Sequence, residues 1–157
     1  MTSENIENIL IRLHVDQREV LFIILDKDGL INRKGDGTPD CNENDLYIGI
    51  DKEGLFNQLR PYITEDMNEF LQKSYDAPNK KGRTCDLKIL LAGNGIETGT
   101  QFLYGELSQG PPKLFVDLCI KAVTVTEKWF QEQKKMTSAA KGNNAPKQEK
   151  KPWWKFW

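Results

Sequence analysis

The acidic segment 26–45 is the first place where the residue types could support chemistry. Its carboxylates are Asp26, Asp28, Asp36, Asp40, Glu43 and Asp45. A calcium-binding EF-hand loop needs oxygen ligands at its first, third and fifth positions, glycine at its sixth and glutamate at its twelfth. Counting from Asp26 or from Asp36 places no glycine at the sixth position. Because clustered aspartate, asparagine and glycine are also typical of turns, we predict a solvated loop without a metal ion.

Three glycines, Gly93, Gly95 and Gly99, follow a predicted strand and resemble a loop that holds a phosphate. A dinucleotide site would need a helix to begin at this turn, so that the helix amides meet the pyrophosphate. Residues 100–104 instead alternate like a strand, which favours a hairpin turn and no bound cofactor. The acidic segment 26–45 and the glycine turn 93–99 together define an alternative function, that of a small enzyme or a metal- or ligand-binding domain.

Nucleophilic catalysis would require a base beside the nucleophile, and His14 is the only histidine. We predict that Cys85 and Cys119 are small core residues, and we assign no catalytic residue. The three cysteines, which include Cys41, are too widely spaced for a disulfide framework or a zinc site. They fit a reducing compartment, so the predicted location is the cytoplasm.

The segment 150–157 is the hardest to explain by folding, because large aromatic and basic side chains are concentrated there. Indole rings and lysine ammonium groups suit the headgroup region of an anionic bilayer, and aromatic side chains also anchor protein interfaces. We therefore predict docking on a partner protein or on an anionic membrane surface, such as the inner face of a membrane. Packing of the tryptophans onto the chain's own domain is a further alternative. The predicted binding residues are Lys150, Lys151, Trp153, Trp154, Lys155, Phe156 and Trp157.

The net charge of -1 conceals a strong asymmetry between the body of the chain and its tail. From residue 134 onward there are seven lysines and one glutamate, a net charge of +6, which leaves -7 for residues 1–133. Binding to nucleic acid phosphates needs a basic face. Although aromatic rings of the tail could stack on bases, nucleic acid is not the expected partner of so acidic a body.

The elements that must position these residues follow from hydrophobic periodicity. Apolar residues at helical spacing predict a helix over 4–15, and strands are predicted over 20–25, 30–33, 46–50, 86–92 and 100–107. Short helices follow Asp51 and Thr64. Residues 112–134 form either one long helix or two helices, the second beginning at a capping box, Thr124–Glu127.

This order predicts an α+β fold, with an antiparallel sheet of about five strands and helices packed on it. The predicted organisation is one compact domain over 1–134, a flexible linker over 135–149 and the aromatic and basic motif 150–157, so that the C-terminal tail is disordered. The longest apolar run, residues 20–25, is far shorter than the ~20 residues of a membrane-spanning helix, and no signal peptide is expected. The predicted function is that of a non-enzymatic binding or adaptor protein, and no pattern indicates its oligomeric state.

Overall fold

The computed structural model describes residues 3–141, with side chains described as far as Ser138. Within this range the helices are α1 (Leu55–Leu59) and α2 (Lys113–Lys141), and short 3-10 segments cover Ser3–Asn5, Arg60–Tyr62 and Glu65–Phe70. The strands are β1 (Asn8–Val15), β2 (Arg18–Asp26), β3 (Leu30–Lys34), β4 (Tyr47–Ile50), β5 (Lys73–Asp76), β6 (Thr84–Gly93) and β7 (Ile96–Gly105).

All seven described strands form one sheet in the order β4-β3-β2-β1-β6-β7-β5. Neighbouring strands are antiparallel, except that β5 runs parallel to β7. The fold is α+β, as the sequence predicts. The expectation of a purely antiparallel sheet of about five strands is wrong, because the sheet is mixed and larger.

The predicted helix over 4–15 is the central strand β1, which pairs with β2 on one side and with β6 on the other. The apolar residues of this segment fit both the helical and the strand period. Ile9, Ile11, Leu13 and Val15 alternate, as a strand requires, and all four are buried. Pairing with β2 and β6 gives the backbone of this segment hydrogen-bond partners on both sides. It also buries these four side chains. Tertiary context therefore overrides the helical spacing.

Strand β5, like β1, is not among the five predicted strands. It lies where the sequence predicts the end of a helix beginning at Thr64. Only the six-residue 3-10 segment Glu65–Phe70 forms there. The chain then turns at Gln72, whose φ is 63°, and the Gln72 amide donates to the carbonyl of Gly99 at 2.6 Å. This hydrogen bond aligns the chain beside β7 and begins the parallel pairing.

Helix α2 is continuous, so the alternative of two helices separated at Thr124–Glu127 is wrong. The hydroxyl of Thr124 donates to the carbonyl of Ile120 at 2.7 Å within the helix, which leaves it no role as an N-cap. The helix continues beyond residue 134 to Lys141. Its buried side chains, which face the sheet, include Phe115, Leu118, Cys119, Ala122, Val123 and Phe130.

The second half of α2 lies over the strands at one edge of the sheet. Phe130 meets the ring of Tyr47 edge-on, with ring centroids 5.7 Å apart. A Cβ atom added to Gly49 would lie 2.8 Å from Cζ2 of Trp129, so only glycine lets the indole pack this close to β4. Lys134 then reaches Glu43, in the loop before β4, at 2.6 Å, and α2 ends at Lys141.

Arg33 joins β3 to α2 from within the core, where its side chain is fully buried. Its Nε donates to the carbonyl of Gly35 at 2.9 Å, and one terminal nitrogen donates to the hydroxyl of Thr126 at 2.8 Å. The other terminal nitrogen lies 3.2 Å from a carboxylate oxygen of Glu127, and the guanidinium carbon lies 4.3 Å from the ring centroid of Phe130. Burial lowers the pKa of Arg33, and the Glu127 carboxylate opposes that shift.

We expect replacement of Arg33 by alanine to cost about 3–5 kcal/mol of unfolding free energy, because it leaves a cavity and buried acceptors without a donor. The matched control is Arg18→Ala, since exposed Arg18 donates, among residues 3–141, only to the carbonyl of Pro39, and its loss should stay below about 1 kcal/mol. Urea unfolding of both variants measures the difference. A loss below about 1 kcal/mol for Arg33→Ala would contradict this role of the buried guanidinium.

Candidate binding site

The first carboxylates of the acidic segment 26–45 serve as turn acceptors. Asp26 accepts hydrogen bonds at 2.9 Å from the amides of Asp28 and Leu30, which closes the β2–β3 hairpin. Asp36 accepts from the amide and the hydroxyl of Thr38, at 2.9 and 2.6 Å. These contacts belong to the local backbone and bring no further carboxylate to the same point.

The next two carboxylates of the segment are held apart in ion pairs. Asp40 lies 2.6 Å from a terminal nitrogen of Arg83, and Glu43 lies 2.6 Å from the ammonium group of Lys134. Among residues 3–141 no three His, Cys, Asp or Glu side chains are grouped so that they could hold a metal ion. The segment thus ties the β3–β4 loop to Arg83, the residue before β6, and to α2.

The glycine turn 93–99 is confirmed as the hairpin between β6 and β7. Asn94 and Gly95 take positive φ angles of 51° and 74°, the conformation of the tightest hairpin turns. Gly99 lies within β7, where a Cβ atom would approach Cδ2 of Leu90 to 2.3 Å. Gly99 thus allows the close packing of the two strands, Gly95 serves the turn, and no helix begins there.

His14 and Cys85 lie on opposite faces of the sheet, and Cys119 lies on α2. His14 is half-buried on β1, with its Nε2 4.0 Å from a carboxylate oxygen of Glu19. Burial raises the pKa of Cys85 to about 11 and also raises the pKa of Cys119. Both thiols therefore stay protonated at neutral pH, where a thiol is a poor nucleophile.

The aromatic and basic residues predicted to bind a partner, Lys150, Lys151 and residues 153–157, lie outside the described residues. Within the described part of the chain, no helix combines the length and the apolar composition needed to cross a bilayer.

One face of the sheet carries a row of half-buried and exposed side chains, which we call the open face. The row follows the strand pairings Ile48–Asn32, Asn32–Ile24, Ile24–Leu10 and Leu10–Leu90. The residues that alternate with them along the strands are buried against the helices on the other face. Apart from Asn32 the row is apolar, and an apolar row that crosses five strands and remains accessible is typical of an interaction surface.

The open face ends at β4, an edge strand whose outer backbone groups are available. The amide of Asp51 donates to the carbonyl of Gly29 at 2.6 Å, and hydrogen-bonded positions alternate along an antiparallel pair. The amides and carbonyls of Ile48 and Ile50 therefore point away from β3. No hydrogen bond from residues 3–141 reaches these outward groups, and both side chains are 63% exposed.

The opposite edge strand, β5, is protected against pairing with another chain, unlike β4. Strand β5 carries Lys73, Ser74 and Asp76 as exposed residues, and Asp76 is paired with Lys80. Charged side chains on an edge strand discourage pairing with another chain. Strand β4 has no charged residue and no proline, so it retains an edge that an additional strand can use.

The surroundings of β4 are acidic. Asp45 precedes the strand, while Asp51 and Glu53 follow it, and Asp45 and Glu53 are exposed. Lys52 is the one basic residue in the stretch 43–53. An extended segment that carries lysine or arginine would therefore match the charge around this edge.

A cleft of about 880 Å³ lies elsewhere, between β5, β7 and the loop 106–112. Its walls include four aromatic side chains, with Tyr75 stacked on Phe102 at a centroid distance of 5.3 Å. Three charged residues line it, and two of them, Asp76 and Lys113, are each paired with a residue four positions away. Two of its charged groups are thus already engaged, and the third is Lys81.

Comparison of the chain with protein-family models, with curated proteins and with solved structures gave no match in any of the three. The sequence itself indicates the strand 46–50, but it does not indicate that this strand is an edge. That property depends on which strands pair with β3, which no local pattern encodes.

Native Cys85 and Cys119 should resist alkylation by iodoacetamide at pH 7.5, because burial keeps both thiols protonated and shielded. In urea-unfolded protein, where the thiols regain an ordinary pKa of about 8.5, we expect both to react at least tenfold faster. Peptide mass spectrometry of timed samples measures this. Rapid labelling of native Cys85 would instead indicate an activated thiol and favour the enzymatic alternative.

Proposed function

We propose that this chain is a non-enzymatic binding protein of the adaptor type that works in the cytoplasm and takes up an extended segment of a partner protein on the outer edge of β4. The observation that carries the proposal is the coincidence of two features at Ile48 and Ile50. Their backbone hydrogen-bonding groups point outward, and their side chains are largely exposed on the open face.

Strand addition explains how such an edge would bind. The backbone hydrogen bonds supply affinity that is independent of sequence, and alternate side chains of the partner supply specificity. Covering the exposed part of one isoleucine contributes about 1–2 kcal/mol. The acidic residues Asp45 and Glu53 favour a partner segment with basic residues between its apolar ones.

The tail supplies a second binding surface in this proposal, and a partner protein is its expected target. Aromatic anchors at an interface fit the composition of Trp153, Trp154, Phe156 and Trp157. Two surfaces on one chain, one on the sheet edge and one in the tail, are what an adaptor needs to bring two partners together.

The sheet-edge site can be tested with a fluorescein-labelled octapeptide in which isoleucine alternates with lysine. We expect the full chain to bind this probe and Ile48→Ser to bind it about tenfold more weakly, since about 1.4 kcal/mol of apolar contact is lost. Ile96→Ser is the matched control, because Ile96 is 67% exposed and lies far from β4 in the strand order. Fluorescence anisotropy measures all three affinities.

A second peptide of the same composition, with proline at two central positions, checks that backbone pairing matters, because proline cannot complete a strand ladder. Equal binding of both peptides, or equal affinities of Ile48→Ser and the unmodified chain, would overturn the strand-addition proposal.

The target of the tail can be tested by co-sedimentation of the full chain with anionic vesicles of phosphatidylserine and phosphatidylcholine. With the tail directed to protein, we expect the full chain to remain in the supernatant at physiological salt. A variant in which Trp153, Trp154, Phe156 and Trp157 are all serine serves as the control. Pelleting of the unmodified chain alone, reduced by high salt, would reassign the tail to a membrane surface.

A further inference from the structure

We propose that the cleft between β5, β7 and the loop 106–112 is a binding site for a small, planar aromatic anion such as an aromatic carboxylate. The cleft has a volume of about 880 Å³, which lies within the range of ~300–1,000 Å³ that is typical of small-molecule sites. It adjoins β5, at the end of the strand order opposite β4. This site is therefore separate from the edge proposed for a partner protein, and either proposal can fail without the other.

Stacked aromatic rings form one wall of the cleft. The ring of half-buried Tyr75 lies on Phe102 with an interplanar angle of 16°, and Phe102 packs against Phe115 of α2 at a centroid distance of 5.1 Å. The Tyr75 hydroxyl donates to the carbonyl of Glu69 at 3.3 Å, and the ring centroid of Phe70 lies 5.7 Å from that of Tyr75. These contacts hold the Tyr75 ring in one orientation, so it offers a fixed surface on which another planar ring can stack.

The loop 106–112 supplies a second wall, and hydrogen bonds fix its position. The amide of Leu107 donates to the carbonyl of Lys81 at 2.9 Å. The hydroxyl of Ser108 accepts from the amide of Gly105 at 3.0 Å and donates to the carbonyl of the same residue at 3.1 Å. The side chain of Leu107 lines the cleft although it is 72% exposed. A bound ring would cover this side chain at little ordering cost, because the loop is already in place.

Lys81 gives the cleft a positive charge that no carboxylate balances. Of the other charged residues that line the cleft, Asp76 pairs with Lys80 and Lys113 pairs with Asp117. Within residues 3–138 the ammonium group of Lys81 has neither an ion pair nor a hydrogen bond, and Lys81 is exposed. A carboxylate at the rim of the cleft can therefore form a charge-assisted hydrogen bond with Lys81 and leave both existing ion pairs intact.

The backbone at Lys81 is held close to the end of β7. A Cβ atom added to Gly105 would lie 2.3 Å from both the amide nitrogen and the carbonyl oxygen of Lys81, and one added to Gly82 would lie 2.8 Å from Cγ of Leu107. Glycine at these two positions lets the segment 81–82 lie against β7 and the loop that follows it. The lysine side chain therefore begins at a fixed point beside the apolar walls.

The rest of the body disfavours anions, which sharpens the expected selectivity. Residues 1–133 carry a net charge of -7. A neighbouring hollow of about 670 Å³, which shares Leu107 with the cleft, is lined by Glu106 and Asp117 as well as by Lys113. An aromatic anion is therefore attracted to the side of Leu107 on which Lys81 lies.

Titration of the isotopically labelled full chain with naphthalene carboxylate, followed by NMR, tests the inference. Naphthalene carboxamide is the matched probe, because it has the same ring and no charge. We expect both probes to shift the amide signals of Leu107, Ser108 and Gly110, and the carboxylate to bind about three- to fivefold more tightly, as an exposed ion pair allows. Shifts confined to residues outside the cleft would overturn the inference.

Lys81→Gln separates the contribution of the charge from that of the ring. This variant should bind the carboxylate about three- to fivefold more weakly and the carboxamide with unchanged affinity, because only the carboxylate forms an ion pair. Lys52→Gln is the matched control, since Lys52 is also exposed and lies just after β4, and it should change neither affinity. An unchanged affinity of Lys81→Gln for the carboxylate would overturn the selection of an anion.

Leu107→Ser tests the apolar wall without removing a buried side chain. It should weaken both probes about fivefold, since each loses apolar contact. Ile96→Ser is the control, because Ile96 is 67% exposed at the start of β7 and does not line the cleft. Equal affinities of Leu107→Ser, Ile96→Ser and the unmodified chain for both probes would show that the rings bind elsewhere and would overturn the site.

Discussion

The buried charge of Arg33 is the constraint on which the arrangement of the molecule depends. A guanidinium on the inner face of β3 must be given hydrogen-bond acceptors, and α2 supplies the hydroxyl of Thr126 and the carbonyl of Val123, at 2.8 and 3.4 Å. The paired carboxylate of Glu127 is 44% exposed, so the ion pair is screened and contributes less than these buried acceptors. The position of Arg33 therefore fixes where the helix crosses the sheet.

That crossing point decides which surfaces are left for binding. With α2 held over β3 and β4, the indole of Trp129 lies against the inner side of Gly49. The helices described within residues 3–141 bury the inner face, and the opposite face keeps its apolar row open. The contacts of α2 with the inner side of β4 leave the other side of that strand exposed, so the structural core and the proposed binding edge are consequences of one packing arrangement. A change at Arg33 would therefore disturb both.

The sequence predicts those elements whose pattern is local. The continuous apolar run of β2, the Asn94–Gly95 turn and the inner stripe of α2 each identify their element correctly. Strand β1 fits both the helical and the strand period, and its two neighbours decide between them. Arg33 has the pattern of a surface residue, because its acceptors lie some ninety positions away along the chain. The edge position of β4 likewise follows only from the complete strand order.

The central claim, that the outer edge of β4 is the binding site, is tested most directly by intermolecular nuclear Overhauser contacts. Isotopically labelled full chain would be saturated with the unlabelled isoleucine–lysine peptide, and contacts from peptide protons to the amides of the protein would be recorded. The account predicts contacts to the amide protons of Ile48 and Ile50, in the pattern of an added strand. Contacts confined to the aromatic cleft beside the loop 106–112, with none to β4, would contradict it.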